Sequence, residues 1–282
     1  MRKILTKIQL SLLLVVASCA APTAQSIPST EPYPAGPIQS NHKQSLPTNT
    51  PEPTLTSTPS PPSDTPEPSP ISTLSLPSME EIESEQIETS SEDRILRGTL
   101  IKRGDVAVIL APMFDRTRNS WMTFAHTIAM SGFTVLAFDY PGFGASSGEF
   151  RWSNVNTDTA AVIDYLHQRG YKQIVCIGAS LGAFGCLGAA LLDPSLKGLV
   201  IISDGLTTVS DNEAAVLLMP KLYIVADEPD DIKIPMEETF QKLPEPKQFE
   251  KLEVKSHGTN LFRSEKGEEF QDLLLDFLEN LP

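Results

Sequence analysis

The chain predicts an α/β domain, a mostly parallel sheet with helices on both faces, over residues 94–282. Three observations carry that expectation. Short, almost continuous apolar runs recur along this part of the chain, as buried parallel strands require. Amphipathic stretches of helical period separate them, the alternation of an α/β sheet. One run also passes through Gly-Ala-Ser-Leu-Gly into a stretch of small residues, a strand-to-helix corner.

Taken in order, 95–101 (ILRGTLI) reads as an additional edge strand and 106–111 (VAVILA) as the first buried one. Helical spacing follows at 118–130, then strand FTVLAF at 133–138 and a helix at 155–168. QIVCI at 173–177 is a short buried strand, and LGAFGCLGAALL at 181–192 is a helix small enough on one face to approach a sheet closely. LVII at 199–202, LYIVA at 222–226 and FEKLEV at 249–254 complete the strands, and 268–281 reads as the last helix. There is no internal repeat. Sites in such sheets form at the carboxyl ends of the strands. The loops after 111, 177, 226 and 254 converge there.

Ser180 stands at the corner in Gly178-Ala179-Ser180-Leu181-Gly182, with strand, turn and helix in the order that exposes a nucleophile. The motif alone is modest, since a chain of this size matches it by chance in roughly one case in ten. Gly144-Ala145-Ser146-Ser147-Gly148 matches too, but it follows a Tyr140-Pro141-Gly142 turn and leads into no helix, so it reads as a loop. A serine hydroxyl needs a base, and the base an orienting carboxylate. His42 lies outside the domain, and His126 and His167 fall within helices. His257, on a loop after the last strand and followed by Gly258, is the base by elimination. The acid is expected after the strand at 222–226, among Asp227, Glu228, Asp230 and Asp231. A carboxylate too near the strand end would point back along it, which favours Asp230, then Asp231, then Asp227. Asp204 is an outside candidate.

The N-terminal part is a different polymer. Residues 1–19 have the layout of a secretory leader, with Arg2, Lys3 and Lys7 before an apolar core that is short for a bilayer span. The leader ends Val16-Ala17-Ser18-Cys19, which resembles the lipobox of bacterial lipoproteins; ordinary cleavage leaving a free thiol is the plain alternative. The resemblance implies lipidation of Cys19 and a cell-envelope protein anchored on the extracytoplasmic side of a membrane. Residues 20–93 are rich in Pro, Ser and Thr and strongly acidic. Such a segment cannot bury enough apolar surface to offset chain entropy, and it is expected to be a disordered tether. Its extended reach is roughly 230 Å at ~3.1 Å per residue, and its coil-like span ~50 Å. Residues 80–93 read as a solvated acidic spacer.

The whole chain carries a net charge of −14, most of it in the tether. The domain is mildly acidic, which argues against nucleic acid or anionic lipid as its main partner. Cys176 and Cys186 read as small buried hydrophobes rather than as a disulfide. No His, Cys and Asp cluster has metal-ligand spacing, so no cofactor or metal is implied.

VILAPMF, FDYPGFGASSG, the Ser180 elbow, MPKLYIVADEPDD and VKSHGTNLF together resemble the α/β-hydrolase superfamily, over about residues 96–282. The resemblance implies a catalytic order of Ser180, Asp230 and His257. It implies an oxyanion hole from the backbone N–H groups of Leu181 and of Phe114, with Met113 the alternate to Phe114. Where many relatives carry His-Gly after the early strand, this chain has Pro112-Met113, and proline itself cannot donate. Many relatives also insert a helical cap where this chain has only 203–219, with room for one small helix. An open site with no large cap domain, suited to a small or accessible acyl group, is therefore expected. Phe114, Trp121, Phe143 and Trp152 are candidates to wall it, and each suits the core equally.

The leading expectation is a serine hydrolase (carboxylesterase-like) acting on a small-molecule ester, or a thioester or amide, through an acyl-enzyme. The domain is taken as a monomer held to the membrane by its lipid. A non-catalytic surface binding lipoprotein on the same fold is the alternative, motivated by Pro112 and by the undecided acid. A secreted peptidase of the same superfamily is a third reading.

Overall fold

The computed structural model describes residues 83–282. The leader, Cys19 and the expected tether up to residue 82 lie outside the described residues. Strands β1 (Ser84–Ser91), β2 (Arg94–Ile101), β3 (Val106–Ala111), β4 (Thr134–Phe138), β5 (Gln173–Ala179), β6 (Gly198–Ile202), β7 (Lys221–Val225) and β8 (Lys247–Lys251) form one eight-stranded sheet in the order β1-β2-β4-β3-β5-β6-β7-β8. β2 is antiparallel to both β1 and β4, and the other neighbours are parallel. The helices are α1 (Met122–Met130), α2 (Val155–Gln168), α3 (Leu181–Leu192), α4 (Asp211–Ala214), α5 (Asp230–Lys242) and α6 (Gly267–Glu279).

Alternate residues of the central strands feed two apolar layers. Ile109 of β3 and Ile174 of β5 face a layer with α2 and α3, whereas Val108 and Val175 face one with α1 and α6. This double burial is why those strands read as continuous apolar runs rather than alternating ones.

The structure corrects the sequence reading in four places. The domain begins at Ser84, not at 94, because the acidic stretch before Arg94 is strand β1. Ile87 and Ser91 turn in, 3% and 4% exposed, Glu85 on the same face is half-buried against Arg169 beyond α2, and Glu88 points outward. A two-residue turn at Glu92-Asp93, with Glu92 at φ 53°, joins β1 to β2. The hairpin is pinned to α2 by buried Arg94, whose guanidinium lies 3.0 Å from the Asp158 carboxylate, and by the Ser91 hydroxyl on the same carboxylate. β2 is accordingly an interior strand and β1 the edge, where the charges of Glu85 and Glu88 discourage further pairing.

The third correction is a disulfide between Cys176 and Cys186. α3 turns straight back over the strand that precedes it, so the two Cα atoms lie 5.7 Å apart, within bridging range. The fourth is α5, a helix where a loop was expected, with consequences for the acid. In place of a cap, the segment between β6 and β7 holds only the short α4, started by a capping box of Ser210 and Glu213.

Candidate active site

The corner between β5 and α3 forces Ser180 to φ 53° and ψ −115°. A non-glycine residue held there costs of order 1–3 kcal/mol, and the surrounding structure must over-determine it. The flanking glycines do so by close approach. A Cβ on Gly178 would stand 2.1 Å from the Gly182 carbonyl oxygen, and one on Gly182 would stand 2.2 Å from that of Ala111. α3 therefore sits directly against the end of β3, and only glycine permits it. Leu181 opens α3, so its N–H has no carbonyl one turn back and donates to no described residue.

The loop after β3 lies alongside. Pro112 is buried, and its carbonyl oxygen comes within 2.9 Å of the position a Gly182 Cβ would take. The chain then turns tightly, Arg116 N–H donating to the Met113 carbonyl at 3.2 Å with Asp115 at φ 56°. The Phe114 N–H, like that of Leu181, donates to no described residue. Pro112 thus leaves this loop seated against the elbow, through backbone contacts that do not depend on an imidazole.

His257 follows β8 on a loop fastened at two points. Gly258 N–H donates to the Ser203 hydroxyl at 3.0 Å, and Thr259 N–H reaches Met113 Sδ at 3.0 Å. Gly258, at φ 53°, has no room for a side chain: a Cβ would lie 2.5 Å from Met113 Sδ and 3.4 Å from the Ala179 Cβ. These contacts bring the His257 loop onto both the residue before Ser180 and the loop carrying Phe114. The Ser180 hydroxyl is partly exposed and makes no hydrogen bond to a described residue.

The carboxylate on His257 belongs to Glu228, not to the expected Asp230. Glu228 Oε1 lies 2.6 Å from His257 Nδ1, and its side chain is 2% exposed. The second oxygen, Oε2, accepts from Ala226 N–H at 3.3 Å. Asp230 is the first residue of α5, its side chain 80% exposed and 3.3 Å from Lys233 on the same helix. Asp227 and Asp231 are exposed as well. The turn between β7 and α5 is so short that the carboxylate reaches the imidazole from just beyond the strand. Glutamate's extra methylene lets it fold back over Ala226 without running along β7. Asp204 is buried, accepts from Leu206 N–H at 2.9 Å, and is pushed above its ordinary pKa by desolvation, so it braces its own loop. His126 is exposed on α1, and His167 Nε2 lies 2.9 Å from Asp193.

Trp121, one of the expected pocket walls, is a core residue: it is fully buried and donates from Nε1 to the Ala111 carbonyl at 3.1 Å. Phe114 and Trp152 are surface residues, 47% and 52% exposed. The second Gly-x-Ser-x-Gly match is a brace for β2, Ser146 Oγ accepting from Arg97 N–H at 2.8 Å and donating to the Asp139 carbonyl at 2.6 Å.

With that geometry in place, the protein has the α/β-hydrolase fold. Residues 107–229 match the family model described as the alpha/beta hydrolase fold. Among solved structures, a predicted CIB-like hydrolase from Thermoplasma acidophilum is similar with a TM-score of 0.61 and 20% identity, over 71% of this chain and 99% of that one. An esterase from Pyrococcus furiosus gives 0.60 and 19%, over 71% and 93%. A monoacylglycerol lipase from Paleococcus ferrophilus gives 0.56 and 17%, over 65% and 98%. At such identities the likeness is one of fold. A probable alcohol acetyltransferase of Cyberlindnera fabianii is 30% identical over 104 residues, 36% of this chain and 28% of that protein. The matched region thus spans under a third of that relative.

Proposed function

We propose that the protein is a serine hydrolase that cleaves a carboxylic ester, or a related thioester or amide, through an acyl-enzyme. The observation that carries this reading is the strained Ser180 at the β5–α3 corner, φ 53° and ψ −115°, with the loop of His257 packed against Ala179 and the imidazole Nδ1 held by a buried carboxylate. Backbone strain of this kind clusters at active sites, which supports the nucleophile reading. Solved neighbours titled esterase and lipase agree with an ester substrate.

In this mechanism Glu228 takes the part expected of Asp230. It accepts a hydrogen bond from His257 Nδ1–H, which leaves the Nε2 lone pair free to act as base and stabilises the imidazolium once formed. Ser180 Oγ attacks the carbonyl carbon as its proton passes to Nε2. Leu181 and Phe114 N–H groups receive the oxyanion, each such donor lowering the barrier by about 2.7–4 kcal/mol. Collapse expels the alcohol, which takes the proton from Nε2. A water then attacks the acyl carbon by the same route in reverse roles, releasing the acid and restoring Ser180. The mechanism requires a Ser180–His257 hydrogen bond that forms when substrate loads, as catalytic contacts in empty sites commonly do.

The same reading places the domain outside the cytoplasm, tethered to the bacterial envelope through a lipidated Cys19. The disulfide supports an oxidising compartment. The test of the enzymatic part is turnover of short p-nitrophenyl esters by the purified protein. Hydrolysis is expected, and Ser180→Ala should lower it by at least about 10⁴-fold. Turnover that survives the substitution would remove Ser180 from the mechanism.

A further inference from the structure

We propose that Phe114, Phe143, Phe150 and Trp152 form a substrate subsite that holds an aromatic substituent of the ester beside Ser180. The proposal rests on the hydrolase reading above and adds a substrate class to it. Phe114 and Trp152 stack nearly parallel, 11° apart with ring centroids at 5.5 Å. Phe150 meets Phe114 and Trp152 edge-on, at 5.4 and 5.2 Å, and Phe143 meets Phe114 edge-on at 5.4 Å. The rings come from separate segments: the loop after β3, the loop after β4, and the 3-10 turn Trp152–Asn154 that precedes α2.

Two features distinguish this cluster from core. Its two stacked members remain about half exposed, whereas Trp121 and Phe124, equally close in sequence to the site loops, are buried. Phe114 is also the residue whose backbone N–H is assigned to the oxyanion, so its ring is attached to the loop that meets the reacting carbonyl. An apolar patch kept in water at a site mouth marks a binding surface. Aromatic rings held in fixed stacked and edge-on contacts offer flat faces and polarised edges, which suit a planar ring better than a saturated one. Gly142 holds the wall close: a Cβ there would lie 2.9 Å from the Phe150 backbone nitrogen, so the loop is folded tightly against it.

The ring can belong to the acid or to the alcohol half of the ester, and the test separates the two. Ethyl phenylacetate against ethyl cyclohexylacetate varies the acid; benzyl acetate against cyclohexylmethyl acetate varies the alcohol. In one of these pairs kcat/KM should favour the aromatic ester by roughly threefold to tenfold, the range that one or two ring contacts supply. Trp152→Ala should erase that preference, and Trp152→Tyr should retain most of it. Leu218→Ala, an exposed apolar change just before β7, at the end of the strands away from the site, should leave the ratio unmoved. Equal rates in both pairs, or a preference that persists in Trp152→Ala, would overturn the subsite while the hydrolase reading stands. Turnover of none of these esters would overturn both.

Discussion

Glu228 and Asp230 stand two positions apart, and their surroundings assign them opposite work. One carboxylate is enclosed and spans from Ala226 N–H to His257 Nδ1; the other is in water at the start of α5. Glu228→Gln should keep the side chain's shape while removing the charge that fixes the imidazole tautomer, lowering kcat on the order of 10³–10⁴-fold. Asp230→Asn should leave kcat within about twofold, as exposed substitutions generally do. Initial rates of both variants check this, and a reversed pattern would restore Asp230. Ser180 and His257 stand out in the sequence because each sits in a pattern with few competitors. The carboxylate that meets His257 does not, because four carboxyl groups crowd one turn and only the start of α5 sorts them. A signal for that start was present: Pro229 followed by two acids, Asp230 and Asp231, is a helix opening, with negative charge in the first turn.

At the scale of elements, the central strands and α3 were readable because burial on both faces writes itself into composition. β1 was hidden by the same logic. This edge strand buries a single apolar residue, Ile87, and fastens its inner face with polar partners instead, Glu85 on Arg169 and Ser91 on Asp158, so its composition resembles the acidic tether before it. The disulfide was missed because the sequence shows two apolar-looking cysteines and not the tight return of α3 over β5. Cys176 and Cys186 are ten positions apart. A loop that short contributes about 3 kcal/mol on the chain-entropy account of disulfide stabilisation. Replacing both cysteines by alanine should therefore lower Tm by roughly 5–10 °C for a domain of this size. Calorimetry of the double variant tests this. An unchanged Tm, or a full complement of free thiols in the unfolded native protein, would show that the bridge is not formed.

For the whole molecule, the proposed chemistry rests on the described residues, and the proposed envelope location rests on the leader and Cys19. Among the described residues no helix is long and apolar enough to cross a membrane, and the attachment proposed above is through Cys19. Cys19→Ser, expressed in a bacterial host that processes lipoproteins, should shift the protein from the membrane fraction to the soluble envelope or medium while ester turnover per molecule stays the same. Retention in the membrane fraction would contradict the anchor.

The central claim is that Ser180 is a nucleophile activated by the Glu228–His257 pair. The most direct measurement is mass mapping of the folded protein after reaction with a fluorophosphonate. The account predicts a single adduct on Ser180, formed much more slowly in Glu228→Gln. An unlabelled Ser180, or an adduct formed equally fast with Glu228 neutralised, would contradict it.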